Sequence, residues 1–413
     1  MRDERVGRVV VVGAGHGGAN AAAFLRQQGF AGEVILLGEE PVVPYHRPPL
    51  SKKYVTGDVS AEDIHLKPAR FYGDQEIELR LGCRVVGVAA GDKVISFDDG
   101  STLGYDSLIL ATGAAPRVLD VPGSELEGVE RLRTVADAGR LKELVKPGQK
   151  LAIVGGGYIG LEVAAACRTK GISVVIVERE SRLLPRVAGT GLSEFLTRYH
   201  QEHGTEILVS GRVKGFGPNR RGSVGTVLLD DGTELPCDAA LVGVGAIPRD
   251  ELARAAGLSC DGGVVVDERS RTSDRSIYAV GDMTRRPLPG RPGLYRMESI
   301  PSAVEQAGQA VAAILARPGP KSEVPWFWSD QFDLKLKTAG LVGEGERVVC
   351  RSSADGNRAA FFHLRDEAVV AVEAINASTE FMAGRRFIEN GTRVDPGKLA
   401  DHSIPLREVG TAR

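Results

Sequence analysis

The chain has 413 residues, 42% of them hydrophobic and 26% charged, with a formal net charge of −2 at pH 7. These values are typical of a globular protein with room for two or three domains. They give no reason to expect nucleic acid or an anionic membrane as a partner, and no apolar run reaches the roughly 18–20 residues that span a bilayer. The first strand is expected to begin by Arg8, which leaves no room for a targeting peptide, so we expect a cytoplasmic protein.

Two stretches of the chain combine an apolar run, a GxGxxG spacing and an alanine-rich continuation: VVVVGAGHGG and LAIVGGGYIG. The glycines at that spacing are Gly13, Gly15 and Gly18 in the first stretch and Gly155, Gly157 and Gly160 in the second. A strand, a glycine turn and a helix in this order hold a dinucleotide, because the helix N-terminus faces the pyrophosphate and glycine permits its close approach. Two such stretches predict two dinucleotides, with electron transfer between them.

The segments between these motifs predict further elements in chain order. After the first strand–helix–strand unit, the proline-rich PVVPYHRPPLSK predicts an irregular loop entering a helix near Leu50. A β-rich stretch over 78–88 and 93–97, with a DDG turn, leads into the buried strand of LILATGAAPR. The second βαβ unit covers 151–178, and a β-meander with its own DDG turn follows it.

The second half of the chain repeats features of the first. LVGVGAIPR mirrors LILATGAAPR, which suggests that both dinucleotide domains have one plan and that the second is inserted into the first. TSDRSIYAVGD then predicts a strand, a helix is expected near 301–315, and ARPGPKSEVP reads as a linker into a unit of alternating strand patterns. We therefore predict an α/β fold with two Rossmann-like domains, glutathione-reductase-like, and a C-terminal α+β domain. The first dinucleotide-binding domain is predicted to comprise 1–115 and 243–322, the second 116–242, and the C-terminal domain 323–413.

Carboxylates after the second strand of each unit indicate which nucleotide binds where. Glu178 takes the position that binds a ribose diol, and it would repel a 2′-phosphate, which favours NADH over NADPH. Arg179 and Arg182 follow closely and could weaken that preference. In the first unit the carboxylates come one step later, at Glu39 and Glu40, and Glu39 is the preferred ribose ligand, although either could be a solvated loop residue.

Asp282, after the strand of IYAVG, fits a flavin better than a nicotinamide nucleotide, because a carboxylate there can bind a ribityl hydroxyl. This assigns FAD to the first site and NADH to the second, with a plain turn aspartate as the alternative. The five cysteines at 83, 167, 237, 260 and 350 are scattered, without a CxxC or a metal-ligand spacing. We expect no metal and no redox-active dithiol, so the electrons must leave the flavin by another route.

Several motifs together resemble one family. GAGHGG, RPPLSK, LATGAAPR, GGGYIGLEVAA, IYAVGD, ESIPSAVEQA and PWFWSDQ resemble the FAD-dependent NADH:ferredoxin reductases of bacterial oxygenase systems, over essentially the whole chain. Rubredoxin reductases and the reductases of aromatic-ring dioxygenases are similar. The resemblance implies a flavoenzyme that passes electrons from NADH through FAD to a [2Fe–2S] ferredoxin, which serves a cytochrome P-450 monooxygenase or another oxygenase.

The resemblance also implies roles for single residues. It places the Lys52 ammonium near flavin N5, with Glu162 as its partner, and Tyr158 over the flavin face where the nicotinamide must stack. Further FAD-site residues that it implies are Gly17, Glu39, Arg47, Val85, Ala111, Gly113, Arg133, Gly281, Asp282 and Ile300. For the NADH site it adds Ile159 and Gly245. The alternative for Lys52 and Glu162, without a role at the flavin, is an ordinary pair on a helix surface.

The protein partner implied by the resemblance is an iron–sulfur ferredoxin, which is usually acidic, so we expect a basic docking face. The residues expected to take part in docking are Trp328, Lys67, Arg296, Lys335 and Lys337. Lys335 and Lys337 alternate along a predicted strand and therefore point to one face. Trp328 could instead be a core aromatic. A monomer or weak dimer is expected.

Two other functions share parts of this pattern. An NADH oxidase or peroxidase would pass electrons to oxygen species, but peroxide-reducing relatives carry a cysteine in the loop that here reads VVPYHRPPLSK. An apoptosis-inducing-factor-like flavoprotein would act as a redox-gated interaction module. PWFWSDQ and the compact C-terminal segment favour the ferredoxin reductase.

Overall fold

The computed structural model describes residues 7–343, 345–353 and 356–411. The elements up to residue 144 are β1 (Arg8–Val12), α1 (His16–Gln27), β2 (Glu33–Gly38), a 3-10 helix (Pro48–Ser51), α2 (Arg70–Asp74), β3 (Ile77–Leu81), β4 (Val85–Ala89), β5 (Val94–Phe97), β6 (Thr102–Gly104), β7 (Ser107–Leu110), β8 (Ala114–Pro116), β9 (Val129–Glu130) and α3 (Val135–Leu144). Those up to residue 265 are β10 (Lys150–Val154), α4 (Tyr158–Thr169), β11 (Ser173–Val177), α5 (Thr190–Glu202), β12 (Glu206–Leu208), β13 (Val213–Pro218), β14 (Val224–Leu229), β15 (Glu234–Pro236), β16 (Ala239–Val242), β17 (Ala246–Pro248), α6 (Glu251–Ala255) and β18 (Val264–Val265). The remaining elements are β19 (Ile277–Ala279), β20 (Thr284–Leu288), β21 (Arg291–Tyr295), α7 (Ile300–Ile314), β22 (Trp326–Gln331), β23 (Leu334–Gly340), β24 (Arg347–Ser352), β25 (Ala359–Arg365), β26 (Ala368–Ile375), α8 (Ser378–Asn390), α9 (Pro396–Ala400) and a second 3-10 helix (Leu406–Glu408).

The chain forms two compact units, each discontinuous in sequence. The first unit contains the residues up to His46, Ala61–Ala115 and Ala246–Glu323. The second contains Arg47–Ser60, Pro116–Gly245 and the residues from Val324 onward. The predicted insertion of one dinucleotide-binding sheet into the other is confirmed by this order. The loop 47–60 belongs to the second unit, and the C-terminal sheet joins that unit too, although a separate third domain was expected; the functional domain boundaries stay a prediction.

The first unit is built on a parallel sheet with the order β19-β7-β1-β2-β3. The run Val9–Val12 is buried on both faces, as is typical of a parallel strand between two layers. One face packs against α1 and α7 through small residues and Leu25, and the other packs under β4, β5 and β6. The β-rich stretch 78–88 therefore belongs to two sheets, because the chain turns at Gly82 with a φ of 67°.

The second unit repeats this plan and adds an antiparallel sheet. Its parallel sheet has the order β12-β11-β10-β16-β9, with the meander β13-β14-β15 on one side. The C-terminal part is a five-stranded antiparallel sheet, β22-β23-β26-β25-β24, covered on one face by α8 and α9. The α+β character predicted for this segment is confirmed.

Candidate functional site

In the first glycine loop, between β1 and α1, Gly13 and Gly18 pack against backbone atoms, whereas Gly15 faces open space. A Cβ on Gly13, whose φ is 111°, would lie 2.3 Å from the carbonyl oxygen of Ala111, and one on Gly18 would lie 1.9 Å from the carbonyl oxygen of Gly13. A Cβ on Gly15 meets nothing within 4 Å. The loop is thus closed towards the sheet and open at the start of α1, the position that accepts a pyrophosphate in dinucleotide-binding folds.

The second glycine loop, between β10 and α4, has the same geometry. A Cβ on Gly155, whose φ is 109°, would lie 2.4 Å from the carbonyl oxygen of Gly243, and one on Gly160 would lie 2.6 Å from that of Gly155. The nearest atom to a Cβ on Gly157 is 4.0 Å away. Both loops therefore fit a dinucleotide by the same physical test, one loop in each unit.

Glu178, at the end of β11, is held over the second glycine loop. Its Oε2 accepts a hydrogen bond from the Gly156 amide at 2.7 Å, and its Oε1 accepts one from the Glu180 amide at 2.8 Å. The nearby arginines are engaged elsewhere. Arg179 pairs with Glu180 at 2.8 Å, and Arg182 donates to carbonyl oxygens of its own loop, including that of Ala188 at 3.0 Å. The structure thus shows a carboxylate fixed at the end of β11, with both predicted competing arginines engaged elsewhere, and its role as ribose ligand stays a prediction.

Glu39, at the end of β2, lies in an arginine pair that the sequence reasoning missed. Its carboxylate accepts a hydrogen bond from Arg249 at 2.7 Å, and Arg84 lies 3.5 Å away. The hydrogen bond from Arg249 holds the pKa of Glu39 below its ordinary value. Glu40 instead accepts a hydrogen bond from the Tyr45 hydroxyl at 2.5 Å. The choice of Glu39 over Glu40 as ribose ligand stays a prediction.

A side chain of α7 holds the turn that carries Asp282. Gln306, which is buried on that helix, accepts a hydrogen bond from the Gly281 amide at 2.9 Å. Thr284 donates to the Gly281 carbonyl at 2.8 Å, and Gly281 itself has a φ of 83°. Ile300 is the first residue of the same helix. Gln306 lies in the ESIPSAVEQA motif, so its polar side chain on an apolar helix was the signal that could have identified it.

The Lys52–Glu162 pair is confirmed as a contact and is buried within the second unit. The Lys52 Nζ lies 2.6 Å from Glu162 Oε2, with side-chain exposures of 18% and 9%. Ser51 donates to the same oxygen at 2.5 Å, and Ser329 on β22 donates to Oε1 at 2.7 Å. A carboxylate in the middle of a buried helix face requires such partners. The alternative of an ordinary pair on a helix surface is therefore wrong, and the two serines are partners of the carboxylate that the sequence reasoning missed.

Tyr158, the first residue of α4, packs edge-on against Phe327, with ring centroids 4.8 Å apart. Its hydroxyl is buried, and burial raises the pKa of Tyr158 well above its ordinary value. The neighbouring Ile159 is 46% exposed. This places one polar and one exposed apolar side chain beside the second glycine loop.

The structure gives local positions for the other predicted cofactor residues, whose roles stay predictions. Arg47 donates a hydrogen bond to the carbonyl of Arg133, whose amide donates to Asp137 at 3.0 Å. A Cβ on Gly17 would lie 3.0 Å from Val280, so that glycine packs against the sheet edge. The remaining predicted positions are Val85 at the start of β4, and Gly113 and Gly245 at turns with φ values of 69° and 105°.

Two of the basic residues expected at a docking face are paired with carboxylates. Lys335 lies 3.0 Å from Asp330, and Arg296 lies 2.5 Å from Glu298. Lys337 is on the same face of β23 as Lys335, and its Nζ lies 5.6 Å from the centroid of the Phe381 ring. The last two predicted residues also contact aromatic rings. The ring centroids of Trp328 and Trp326 lie 5.7 Å apart, and the Lys67 Nζ lies 5.5 Å from the centroid of the Phe71 ring.

Across the residues that the structure describes, no helix is both long enough and apolar enough to cross a membrane.

Two glycine loops of one geometry, each followed by a fixed strand-end carboxylate, define an oxidoreductase that uses FAD and NAD(H). Residues 7–307 match the pyridine nucleotide-disulphide oxidoreductase family and residues 326–410 match the reductase C-terminal family. The chain belongs to the pyridine nucleotide-disulphide oxidoreductase family.

The chain is similar over almost its whole length to proteins named as ferredoxin reductases. The chain is 43% identical to a probable ferredoxin reductase of Castellaniella defragrans, over 97% of this chain and 98% of the relative. It is 38% identical to putidaredoxin reductase of Pseudomonas putida, over 97% of this chain and 96% of the relative. The crystal structure of a covalent putidaredoxin reductase–putidaredoxin complex matches with a TM-score of 0.93 at 37% identity, covering 97% of each chain. The ferredoxin reductase for the CYP199A2 system of Rhodopseudomonas palustris matches with a TM-score of 0.92 at 34% identity, covering 97% of this chain and 99% of that one.

Proposed function

We propose that the protein is an NADH-dependent ferredoxin reductase that supplies electrons to a [2Fe–2S] ferredoxin, which serves a cytochrome P-450 monooxygenase or another oxygenase. The observation that carries this proposal is the full-length likeness to ferredoxin reductases, which includes the C-terminal sheet. The same likeness favours this function over an NADH oxidase and over an apoptosis-inducing-factor-like interaction protein. The scattered cysteines agree with it, since a dithiol route for electrons is not available.

FAD, when bound, supplies the conversion between the two-electron chemistry of NADH and the one-electron chemistry of an iron–sulfur centre. The loop of Gly13 and Gly15 and the turn of Asp282 would hold it. The loop of Gly155 and Gly157 would hold NADH, with the Glu178 carboxylate accepting from its ribose hydroxyls.

Three side chains would act closest to the reaction. The Lys52 ammonium would place a positive charge beside the flavin, and Glu162 would hold that ammonium at 2.6 Å. Tyr158 would cover the position of the nicotinamide and give way when NADH binds. In this role no side chain of the protein forms a bond to the substrate; the residues bind, orient and exclude water.

A coupled steady-state assay tests the proposal. Cytochrome c reduction by NADH should be slow without added ferredoxin and should rise in a saturable way as a [2Fe–2S] ferredoxin is added. Because an acidic partner is expected, the concentration for half-saturation should rise with salt. Ferredoxin-independent reduction, or hydrogen peroxide formed in proportion to the NADH consumed, would contradict the proposal.

The proposed assembly is a monomer or weak dimer. Sedimentation velocity with and without NADH tests this, and dimer formation that requires NADH would favour the interaction-module alternative instead.

A further inference from the structure

A chain of buried side chains continues from the Lys52–Glu162 pair into the second unit. Ser329 donates to Glu162 at 2.7 Å, Gln331 Nε2 donates to Ser329 Oγ at 3.1 Å, and Gln331 Oε1 lies 2.9 Å from His200 Nε2. Ser329, Gln331 and His200 are 1%, 2% and 0% exposed. These hydrogen bonds therefore join α4, the edge strand β22 of the C-terminal sheet and α5 through groups that are buried from water.

Every hydrogen bond in this series runs in the same direction, from His200 towards Glu162. Burial lowers the pKa of His200 to about 4, so the imidazole is neutral at neutral pH and carries one proton. Its Nδ1 is buried without a partner among the described residues, which places that proton on Nε2, facing Gln331. The imidazole N–H donates to the Gln331 oxygen, the Gln331 amide donates to Ser329, and Ser329 donates to the carboxylate.

Ser329 and Gln331 are adjacent on one face of β22, because residues two apart on a strand share a face. The intervening Asp330 points the other way and pairs with Lys335. In a strand that begins with three aromatic residues, this alternation puts two polar groups where an apolar core would be expected. Burying them is costly unless each is satisfied, and here each one is.

We infer that Ser329 and Gln331 are positioning residues for the reductase reaction, which hold the Glu162 carboxylate and, through it, the Lys52 ammonium. This inference rests on the proposed function, in which Lys52 lies beside the flavin. The C-terminal sheet then does more than offer a surface to a partner. Through Ser329 it holds the Glu162 carboxylate, and this carboxylate holds the Lys52 ammonium and offsets its positive charge beside the flavin.

The flavin midpoint potential of the holoenzyme is the test, with the rate constant of flavin reduction by NADH as a second readout. Ser329→Ala removes one donor from Glu162, so the carboxylate charge is less offset and the potential should become more negative. The reduction rate constant should fall by about tenfold, as expected for one hydrogen bond to a charged group. The apparent Kd for NADH should stay within about twofold, since Ser329 lies outside the nucleotide loop.

The second variant is Gln331→Met, which keeps the length of the side chain and removes its amide. Gln331 is one hydrogen bond further from Glu162 than Ser329 is, so this variant should shift the flavin potential in the same direction by a smaller amount. Ser193→Ala is the matched control, because Ser193 is a serine of equal burial in the same unit that donates to the Leu183 carbonyl instead. That control should leave both readouts unchanged.

A double-mutant cycle separates positioning from general support of the fold. In a Glu162→Gln background, Ser329→Ala should no longer change the potential. If Ser329→Ala has its full effect in that background, or no effect in the native protein while Glu162→Gln and Lys52→Met do, the inference is overturned and the proposed function stands. If Lys52→Met also leaves the potential unchanged, both the inference and the placement of Lys52 beside the flavin are wrong.

Discussion

The preference for NADH over NADPH depends on one carboxylate, and Glu178→Gln tests it with little change of shape. The glutamine keeps an oxygen that can accept from the Gly156 amide, which Glu178 Oε2 does at 2.7 Å. It loses the negative charge that would repel a 2′-phosphate. Glu178→Ala would remove both acceptors and leave the amides of Gly156 and Glu180 unpaired, so the glutamine variant separates charge from loop support.

The expected change follows from two contributions. Losing a charged acceptor for a ribose hydroxyl costs about 1.5–3 kcal/mol in NADH binding. Removing the repulsion gains about 1 kcal/mol for NADPH, because Glu178 is half-buried and the charges are screened by water. Together these amount to about 3 kcal/mol, which is about a hundredfold rise in the ratio of kcat/KM for NADPH to that for NADH.

The assay is steady-state kinetics with both nucleotides and ferricyanide as electron acceptor, which bypasses the protein partner. Glu143→Gln is the control: it removes an exposed carboxylate of the same unit that pairs with Lys146, and its ratio should stay within about twofold. An unchanged ratio in Glu178→Gln would refute the reasoning. Equal losses with both nucleotides would show that Glu178 only supports the glycine loop.

Three further predictions concern the loops and the buried histidine. Gly15→Ala places a methyl group in open space and should leave the circular dichroism spectrum intact while FAD is lost on dialysis. Gly18→Ala, by contrast, puts a Cβ 1.9 Å from a carbonyl oxygen and should lower the Tm as well; equal behaviour of the two variants would contradict the assigned geometry. Gly157→Ala should raise the KM for NADH with normal FAD content, and a loss of FAD in this variant would mean that the two loops are assigned the wrong way round. Since the pKa of His200 falls from 6.5 to about 4 on folding, its contribution to stability is fully present above pH 6.5 and is lost as the pH falls towards 4. Between pH 7.5 and 5 this amounts to about 2 kcal/mol, so urea unfolding of His200→Gln should depend less on pH than that of the native protein, and parallel pH profiles would contradict this.

The sequence predicted the two dinucleotide folds because their signal is local. An apolar strand, three glycines and a small-residue helix determine the turn, and the steric reasons for Gly13 and Gly18 lie within a few residues or on the adjacent strand. The insertion of the second sheet into the first followed from the mirrored motifs. The Lys52–Glu162 contact was expected only through the family resemblance, since neither residue carries a local signal that points to the other.

The missed residues share a different property: their roles arise from contacts distant in sequence. Ser51, Ser329 and His200 come from three separate segments, and nothing in any one segment predicts the hydrogen-bonded chain. Arg249 reaches Glu39 across more than half the chain. The pattern did predict that Lys335 and Lys337 share a face, but it could not show that Lys335 is already paired with Asp330.

The most direct test of the proposed function is anaerobic stopped-flow absorbance. The FAD-loaded protein is reduced with one equivalent of NADH and mixed with oxidised [2Fe–2S] ferredoxins. The proposed function predicts rapid flavin reoxidation that matches the bleaching of a ferredoxin in time and in electrons transferred. A flavin that stays reduced with every ferredoxin but reoxidises promptly in air would contradict it and favour the oxidase.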